Sequence, residues 1–434
     1  MNIFTVQPGG HLSGHVRVPG DKSISHRAIM LGALAEGETR VTGFLEGADC
    51  IATLEAFRAM GVEIERLGPG DVRIRGVGLR GLRVPTAPLD MGNSGTAMRL
   101  MCGVLAGQPF DTELVGDRSL TGRPMRRVTD PLARMGARIT TSETGTPPLR
   151  VQGGAPLRGT DHVLQVASAQ VKSALLLAGL WADGRTCVTE PAPTRDHTER
   201  MLAGFGYSVE RDGPQACLEG GGVLTASPVD VPADISSAAF FLVGASIASG
   251  SRMRLQHVGI NPTRTGVIDI LRLMGARIDV LDAREAGGEP VADLEVEASQ
   301  LQGIAIPEEL VPLAIDEFPA IFVAAACASG ETVLTGAEEL RVKESDRIQV
   351  MADGLAALGI NCTVLPDGIR IQGRGAFEGG EIDSHGDHRI AMAFAMAGLR
   401  ARGPIRIRDC ANVGTSFPGF VELSKAAGLQ VEAA

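Results

Sequence analysis

Leu54–Glu65 reads LEAFRAMGVEIE: a helical pattern that stops at Gly61 and passes at once into a β-rich run. The same step returns as LARMGARIT at Leu132–Thr140, MLAGFGYSVE at Met201–Glu210 and ILRLMGARIDV at Ile270–Val280. It returns again as MADGLAALGINCTV at Met351–Val364 and LSKAAGLQVE at Leu423–Glu432. A glycine just past a helix end takes the left-handed conformation without a Cβ clash, which explains Gly61, Gly136, Gly206, Gly275, Gly359 and Gly428. These glycines fall about 70 residues apart, with one longer gap, so they mark an internal repeat. Six copies of an α/β unit divide naturally into two groups of three. Helical stretches rich in Ala, Leu and Gly, such as Ala174–Leu180, are candidates for burial on all sides.

The length agrees with more than one domain, since 434 residues exceed what one compact core holds. A boundary is expected near Val231–Asp234, where a Gly-rich stretch (Gly220–Pro232) precedes a helical pattern over Ser236–Ile247. A strand expected over Gly14–Val18 precedes the first unit and is a candidate to pair with the far half of the chain. Aromatic residues make up 3% of the sequence and the net charge is −10, which disfavours base stacking and general binding to nucleic acid. Any anionic ligand must therefore be met by locally concentrated Lys and Arg. Seven cysteines are scattered singly with no C-x-x-C pair, which suits reduced thiols in a cytoplasm better than a disulfide framework. Met1–Gly20 lacks the pattern of a signal peptide, and the longest apolar run, around Phe318–Ala328, is too short to span a bilayer.

Charged and hydroxyl residues gather where helical patterns begin. Pro19–Arg27 reads PGDKSISHR, which sets Lys22 and Ser23 at a helix N-terminus, where free N–H groups and the helix dipole favour an anion. Gly92–Thr96 opens a second helix with glycines that let N–H groups close on an oxyanion. Gly116–Arg127 holds Arg118, Arg123, Arg126 and Arg127, and Arg123 before Pro124 is held extended. Ser168 and Gln170 precede an apolar helix, and Arg195 stands just outside a helix start at Asp196–Glu199. Farther on, Asp316 and Glu317 lie flush against an apolar stretch, a setting in which carboxylates need partners or shifted pKa values. Arg341–Arg347 packs three cations and two carboxylates together, with Lys343 and Arg347 on one face if the segment is helical. Asp387–Arg389 opens another helix. Asp383, His385, Asp387 and His388 can be read as a metal site, but no other ligand cluster joins them, and the expectation is no metal. Arginine forks at so many loop-to-helix junctions suit multiply charged small anions.

In this order, KSISHR, GNSGTAMR, GDRSLTGRPM, SAQVKSALLLAGL, RDHTE, DEFPA, RVKESDRI and DHRIAMAF resemble the 5-enolpyruvylshikimate-3-phosphate synthases over Pro19–Pro418. The resemblance implies a mixed α/β fold, a two-domain inside-out α/β barrel with three βαβαββ repeats per domain. The domains are then 20–232 and 1–19 plus 233–434, with two crossings forming a hinge. It implies transfer of the enolpyruvyl group of phosphoenolpyruvate to the 5-hydroxyl of shikimate 3-phosphate, without a cofactor. Carried over by motif, Lys22, Ser23, Arg27, Ser168, Gln170, Arg195, Asp316 and Lys343 match positions that contact shikimate 3-phosphate. Lys22, Gly95, Arg123, Gln170, Arg347, His388 and Arg389 match those that grip phosphoenolpyruvate. Asp316 is similar to the group that handles the 5-hydroxyl proton, Glu344 to the one that protonates the methylene carbon, and Lys22 to a cation that assists at the oxygen.

Two departures stand out. Ala169 occupies a place where many members have Ser, and Thr415 precedes Ser416-Phe417-Pro418 where many carry Lys. Both resemble the second subgroup of the family, some of whose members tolerate glyphosate, often with Ala where Gly95 stands. Gly95 therefore implies a glyphosate-sensitive enzyme. The alternatives are a UDP-N-acetylglucosamine enolpyruvyl transferase, whose members usually carry a reactive Cys in the loop that here reads Gly116–Pro124, and a non-catalytic anion-binding or RNA-end-processing protein of related fold. The expected partners are the two small substrates alone, with no nucleic acid or membrane, for a cytoplasmic monomer.

Overall fold

The computed structural model describes residues 2–434. The chain divides into two compact units: one of residues 20–231 with 285–289, and one of residues up to 19 with 232–284 and 290–434. Each unit has its own apolar core. The first unit holds helices α1 (Lys22–Leu34), α2 (Ala48–Ala59), α3 (Gly95–Ala106), α4 (Arg126–Arg134), α5 (Ala169–Gly179) and α6 (His197–Gly204). The second holds α7 (Ile235–Ile247), α8 (Gly266–Leu273), α9 (Phe318–Cys327), α10 (Arg347–Ala357), α11 (His388–Ala397) and α12 (Phe420–Ala427).

One sheet pattern recurs. In the first unit, Glu36–Thr42 pairs in parallel with Val229–Asp230, then antiparallel with Asp71–Val77, which pairs antiparallel with Glu63–Gly68. Leu89–Asp90, Thr112–Val115, Leu149–Gln152 and Arg138–Thr140 repeat it, as do Asp161–Val163, Arg185–Thr189, Gln215–Glu219 and Glu210–Asp212. In the second unit, Ser13–Val16 runs parallel to Arg252–Gly259, which pairs antiparallel with Glu289–Glu297. Gly380–Asp383, Ile405–Arg408, Ile3–Val6 and Val431–Ala433 form a further copy. The last sheet, Glu331–Leu334, Gly368–Gln372 and Cys362–Leu365, has three strands, and single parallel bridges at Ser329 and Val333 stand where the others have a fourth strand.

The glycines of the repeat hold this pattern together. Gly61, Gly136, Gly206, Gly275, Gly359 and Gly428 have φ of 87°, 104°, 77°, 96°, 81° and 116°, each just beyond α2, α4, α6, α8, α10 and α12. The other six helices are mostly small and apolar apart from charged and polar residues in their N-terminal halves, and they are buried nearly throughout. Gly103 lets α3 approach α5 closely, since a Cβ there would fall 2.1 Å from the carbonyl oxygen of Ala174.

Among the described residues no helix is long and apolar enough to cross a membrane. The expectation of reduced thiols needs correction: Cys187 and Cys217 form a disulfide, with Cα atoms 4.1 Å apart. Antiparallel register sets the two residues opposite each other, a proximity that linear spacing does not reveal. Cys102 lies in the core, where burial pushes its thiol up to about 12.

Candidate active site

In the first unit the candidate residues collect at the N-termini of α1, α3, α5 and α6. Asp21 caps α1, its carboxylate accepting from the Ile24 N–H at 2.9 Å, so the helix begins at Lys22. The Lys22 ammonium meets Asp49 at 2.9 Å. Arg27, one turn on, is buried: Nε donates to Thr198 Oγ1 (2.7 Å), Nη1 to the Ser23 carbonyl (2.9 Å) and Nη2 to Ser173 Oγ (2.7 Å). Burial, with a smaller push from the neighbouring Arg195 charge, brings Arg27 down to about 10, while Glu199 and Asp21 oppose that shift. It remains a cation at neutral pH.

Ser94 caps α3 by accepting from the Ala97 N–H, and Gly95 is the first helical residue. A Cβ on Gly95 would lie 3.0 Å from Arg99 Nη1 and 3.1 Å from Arg123 Nη1, so two guanidiniums flank this turn of backbone. Arg99 Nη1 donates to Gln170 Oε1 at 2.6 Å, and Gln170 Nε2 donates to Thr96 Oγ1 at 2.9 Å. Arg123 has the extended backbone expected before Pro124 and donates to Asn93 Oδ1 at 2.9 Å. Ser168 caps α5, which fixes Gln170 in its first turn. Beneath Gly95, His26 joins the α1 and α3 starts: its ring nitrogens meet Thr53 Oγ1 at 2.8 Å and Ser94 Oγ at 3.2 Å. Burial, helped by the charges of Lys22 and Arg27, lowers His26 to about 3, so the ring is neutral.

In the second unit the organising group is the Arg347 guanidinium, 1% exposed. Nε binds Asp387 Oδ2 at 2.8 Å, Nη2 binds Glu344 Oε2 at 2.6 Å and Nη1 reaches Asp316 Oδ1 at 3.3 Å. Burial opposes its charge, yet Asp387, Glu344 and Asp316 outweigh burial and raise its pKa. Lys343 lies 3.8 Å and Arg389 4.0 Å from the Asp316 carboxylate. Asp387 also caps α11, accepting from the Arg389 N–H at 3.0 Å, and accepts from Ser345 Oγ at 3.1 Å. His388, buried, is the first residue of that helix. Lys343 and Arg347 do not share a helix face. Asp346 caps α10, so Arg347 starts the helix and Lys343 sits before it, at the end of a 3-10 turn.

Each half-set thus gathers within its own unit. Sequence reasoning passed over Asp49, Arg99, His26 and the central part of Asp387. Arg99 follows Gly95 by four positions on one helix, a spacing that puts both on one face and was legible. Asp49 gives no such signal.

The sequence model of the family described as EPSP synthase (3-phosphoshikimate 1-carboxyvinyltransferase) matches residues 6–423. The chain belongs to the EPSP synthase family. It is 70% identical over 426 residues to the 3-phosphoshikimate 1-carboxyvinyltransferase of Alkalilimnicola ehrlichii, covering 98% of this chain and 96% of that one. To the protein of the same name from Methylococcus capsulatus it is 68% identical, covering 99% and 98%. The structure of EPSP synthase from Acinetobacter baumannii superposes with a TM-score of 0.90 at 58% identity, over 100% of this chain and 99% of that one. In this family frame the chain is an enzyme, a transferase of the shikimate pathway, and the two half-sets are its candidate active-site residues.

Proposed function

We propose that the chain transfers the enolpyruvyl group of phosphoenolpyruvate to the 5-hydroxyl of shikimate 3-phosphate, releasing inorganic phosphate, as a cytoplasmic monomer. The observation that carries the residue roles is that Asp316 and Glu344, the two candidate proton carriers, share one buried guanidinium, at 3.3 and 2.6 Å. Phosphoenolpyruvate brings anionic oxygens that compete for the N–H groups of Arg347. That competition releases Glu344 from the ion pair, and Glu344 in its protonated form then gives its proton to the methylene carbon. Protonation gives the adjacent carbon oxocarbenium character, the 5-hydroxyl adds as Asp316 takes its proton, and a tetrahedral intermediate forms. The Glu344 carboxylate then takes back a methyl proton as phosphate departs with the proton held by Asp316, which yields the enol ether and returns Glu344 to its acid form and Asp316 to its carboxylate.

Lys22, Ser23, Arg27, Ser168, Gln170, Arg195 and Lys343 hold shikimate 3-phosphate in this proposal, and Gly95, Arg123, Arg347, His388 and Arg389, with Lys22 and Gln170, hold phosphoenolpyruvate. Fixed cations offset the repulsion between two anions, and their positions are set before the reaction begins. The chain passes between units at Pro19–Gly20 and Val231–Pro232, with residues 285–289 a short return to the first unit, and we take the first two crossings as the hinge of a closure on substrate. Small-angle scattering with both ligands should show contraction, and unchanged profiles remove the closure. The deciding assay is phosphate release from phosphoenolpyruvate with shikimate 3-phosphate as acceptor. Release with UDP-N-acetylglucosamine instead, or with neither, overturns the assignment.

A further inference from the structure

A buried charge cluster lies outside the groups assigned above. Lys172, 2% exposed, projects from α5 between two carboxylates, with its ammonium 2.6 Å from Glu190 Oε2 and 2.8 Å from Glu199 Oε1. Glu190 and Glu199 are buried as well. Glu190 directly follows the strand Arg185–Thr189, and Glu199 lies in the first turn of α6. The segment between them carries Arg195, so one ammonium ties down both ends of the segment that presents this arginine. Thr194, next to Arg195, donates its hydroxyl to the other oxygen of Glu190. On the α5 side, Ser173 follows Lys172 and accepts from both Arg27 and Thr198 at 2.7 Å.

Two carboxylates around one ammonium leave a net negative charge in the interior. Such clusters are weak stabilisers, and apolar side chains of like volume serve a core as well or better. What the cluster does supply is fixed geometry. Its excess charge also has a use: of the nearby groups, the Glu199 carboxylate does most to offset the lowering of Arg27 by burial.

We propose that Lys172 is a positioning residue that holds the Glu190–Glu199 segment so that Arg195 meets the phosphate of shikimate 3-phosphate. This rests on the reading of Arg195 as a shikimate 3-phosphate ligand, and the test separates the two ideas. Steady-state kinetics on full-length variants confirmed as folded by circular dichroism should show a split. Lys172→Met raises KM for shikimate 3-phosphate about tenfold or more, with KM for phosphoenolpyruvate changed by less than about twofold. Because Lys172→Met strands two buried carboxylates, Glu190→Gln serves as the milder variant. It leaves a one-to-one pair and should show the same split at about threefold. In an Arg195→Ala background, the Lys172 and Glu190 changes should add less than about twofold, since they act through the missing side chain.

A KM for shikimate 3-phosphate that stays put in Glu190→Gln and in folded Lys172→Met, while Arg195→Ala raises it, overturns the positioning role and leaves the ligand reading intact. Effects that multiply with Arg195→Ala, or that raise both KM values together, also overturn it. Arg195→Ala without effect on that KM overturns the ligand reading, and the positioning role falls with it.

Discussion

Replacing Arg347 by methionine removes the charge that three carboxylates share while filling much of its volume. Asp316 keeps Lys343 and Arg389 at 3.8 and 4.0 Å, and Glu344, partly exposed, can turn to water. Asp387 has no such escape. It is fully buried and keeps only the Ser345 hydroxyl at 3.1 Å and the Arg389 N–H at 3.0 Å. Removing one partner of a buried ion pair costs about 3–5 kcal/mol. The two surviving hydrogen bonds and the N-terminus of α11 offset part of that, leaving a loss of about 2–3 kcal/mol. For a unit of this size the melting temperature should fall by about 5–10 °C. Adding Asp387→Asn removes the stranded charge and keeps a good helix cap. Arg347→Met/Asp387→Asn should therefore melt above Arg347→Met alone, although it differs from the parent at two places. Calorimetry at neutral pH reads both steps. A single variant within about 2 °C of the parent, or a double variant below the single, refutes the claim that an uncompensated Asp387 is the source of the cost.

Three further perturbations address chemistry and pH. Glu344→Gln should lower kcat by about a hundredfold or more without raising either KM, read by phosphate release; unchanged turnover removes Glu344 from the mechanism. Gly95→Ala sets a methyl 3.0 and 3.1 Å from two guanidinium nitrogens, so Arg99 and Arg123 must shift. KM for phosphoenolpyruvate should rise and inhibition by glyphosate should weaken, whereas a parent enzyme untouched by millimolar glyphosate at low phosphoenolpyruvate contradicts the reading of Gly95. His26 is lowered from 6.5 to about 3 in the folded state, so the unfolded chain takes up the proton first as pH falls. The stability it contributes is complete above pH 6.5 and is lost toward pH 3, at up to about 1.4 kcal/mol per pH unit. Urea unfolding at pH 7 and pH 5 should show a smaller loss for His26→Asn than for the parent; equal losses refute the assignment.

The parts of this protein that could be read in advance are those fixed by local rules. Each helix–glycine–strand step declares itself because left-handed backbone, helical period and β-branched runs are properties of a dozen neighbouring residues. The helix starts at Lys22, Gly95, Ala169 and His388 were legible for the same reason. What escaped depends on register and packing. Nothing near Lys22 announces Asp49, and nothing in the spacing of Cys187 and Cys217 says that their strands lie side by side. The stretch KSISHR shows Arg27 only as a cation one turn into a helix, and it does not show that three of its N–H groups are taken by Ser23, Ser173 and Thr198. Lys343 and Arg347 misled in the opposite sense: a spacing of four suggests a shared face, but Asp346 caps between them.

The same two influences explain why one of two adjacent carboxylates is a candidate proton carrier and the other is not. Asp21 and Asp234 cap α1 and α7 alike, each accepting a backbone N–H at 2.9 Å. After the cap, α1 continues with Lys22, Ser23 and Arg27, whereas α7 continues with Ile235, Ser236 and Ser237. The α7 start therefore has hydroxyls to offer and no cation, and its cation comes from Arg264, which lies 3.2 Å from Asp234 and 2.7 Å from Ser236 Oγ. Glu317 is drawn into that cluster, with Ser236 donating to it and Arg264 at 3.6 Å, and it is 2% exposed. Its carboxylate is held inside the unit, where it shares one guanidinium with Asp234. Asp316, one residue earlier, faces the other way, toward Lys343, Arg347 and Arg389, where its partners are side chains at helix starts or in the loop just before one. An incoming anion can compete for those cations and change what Asp316 feels. It has no comparable access to Glu317, whose partners are closed within the core. The proposal that Asp316 and not Glu317 handles a proton thus draws support from where its neighbours can be reached, a distinction that the dipeptide Asp-Glu does not carry by itself.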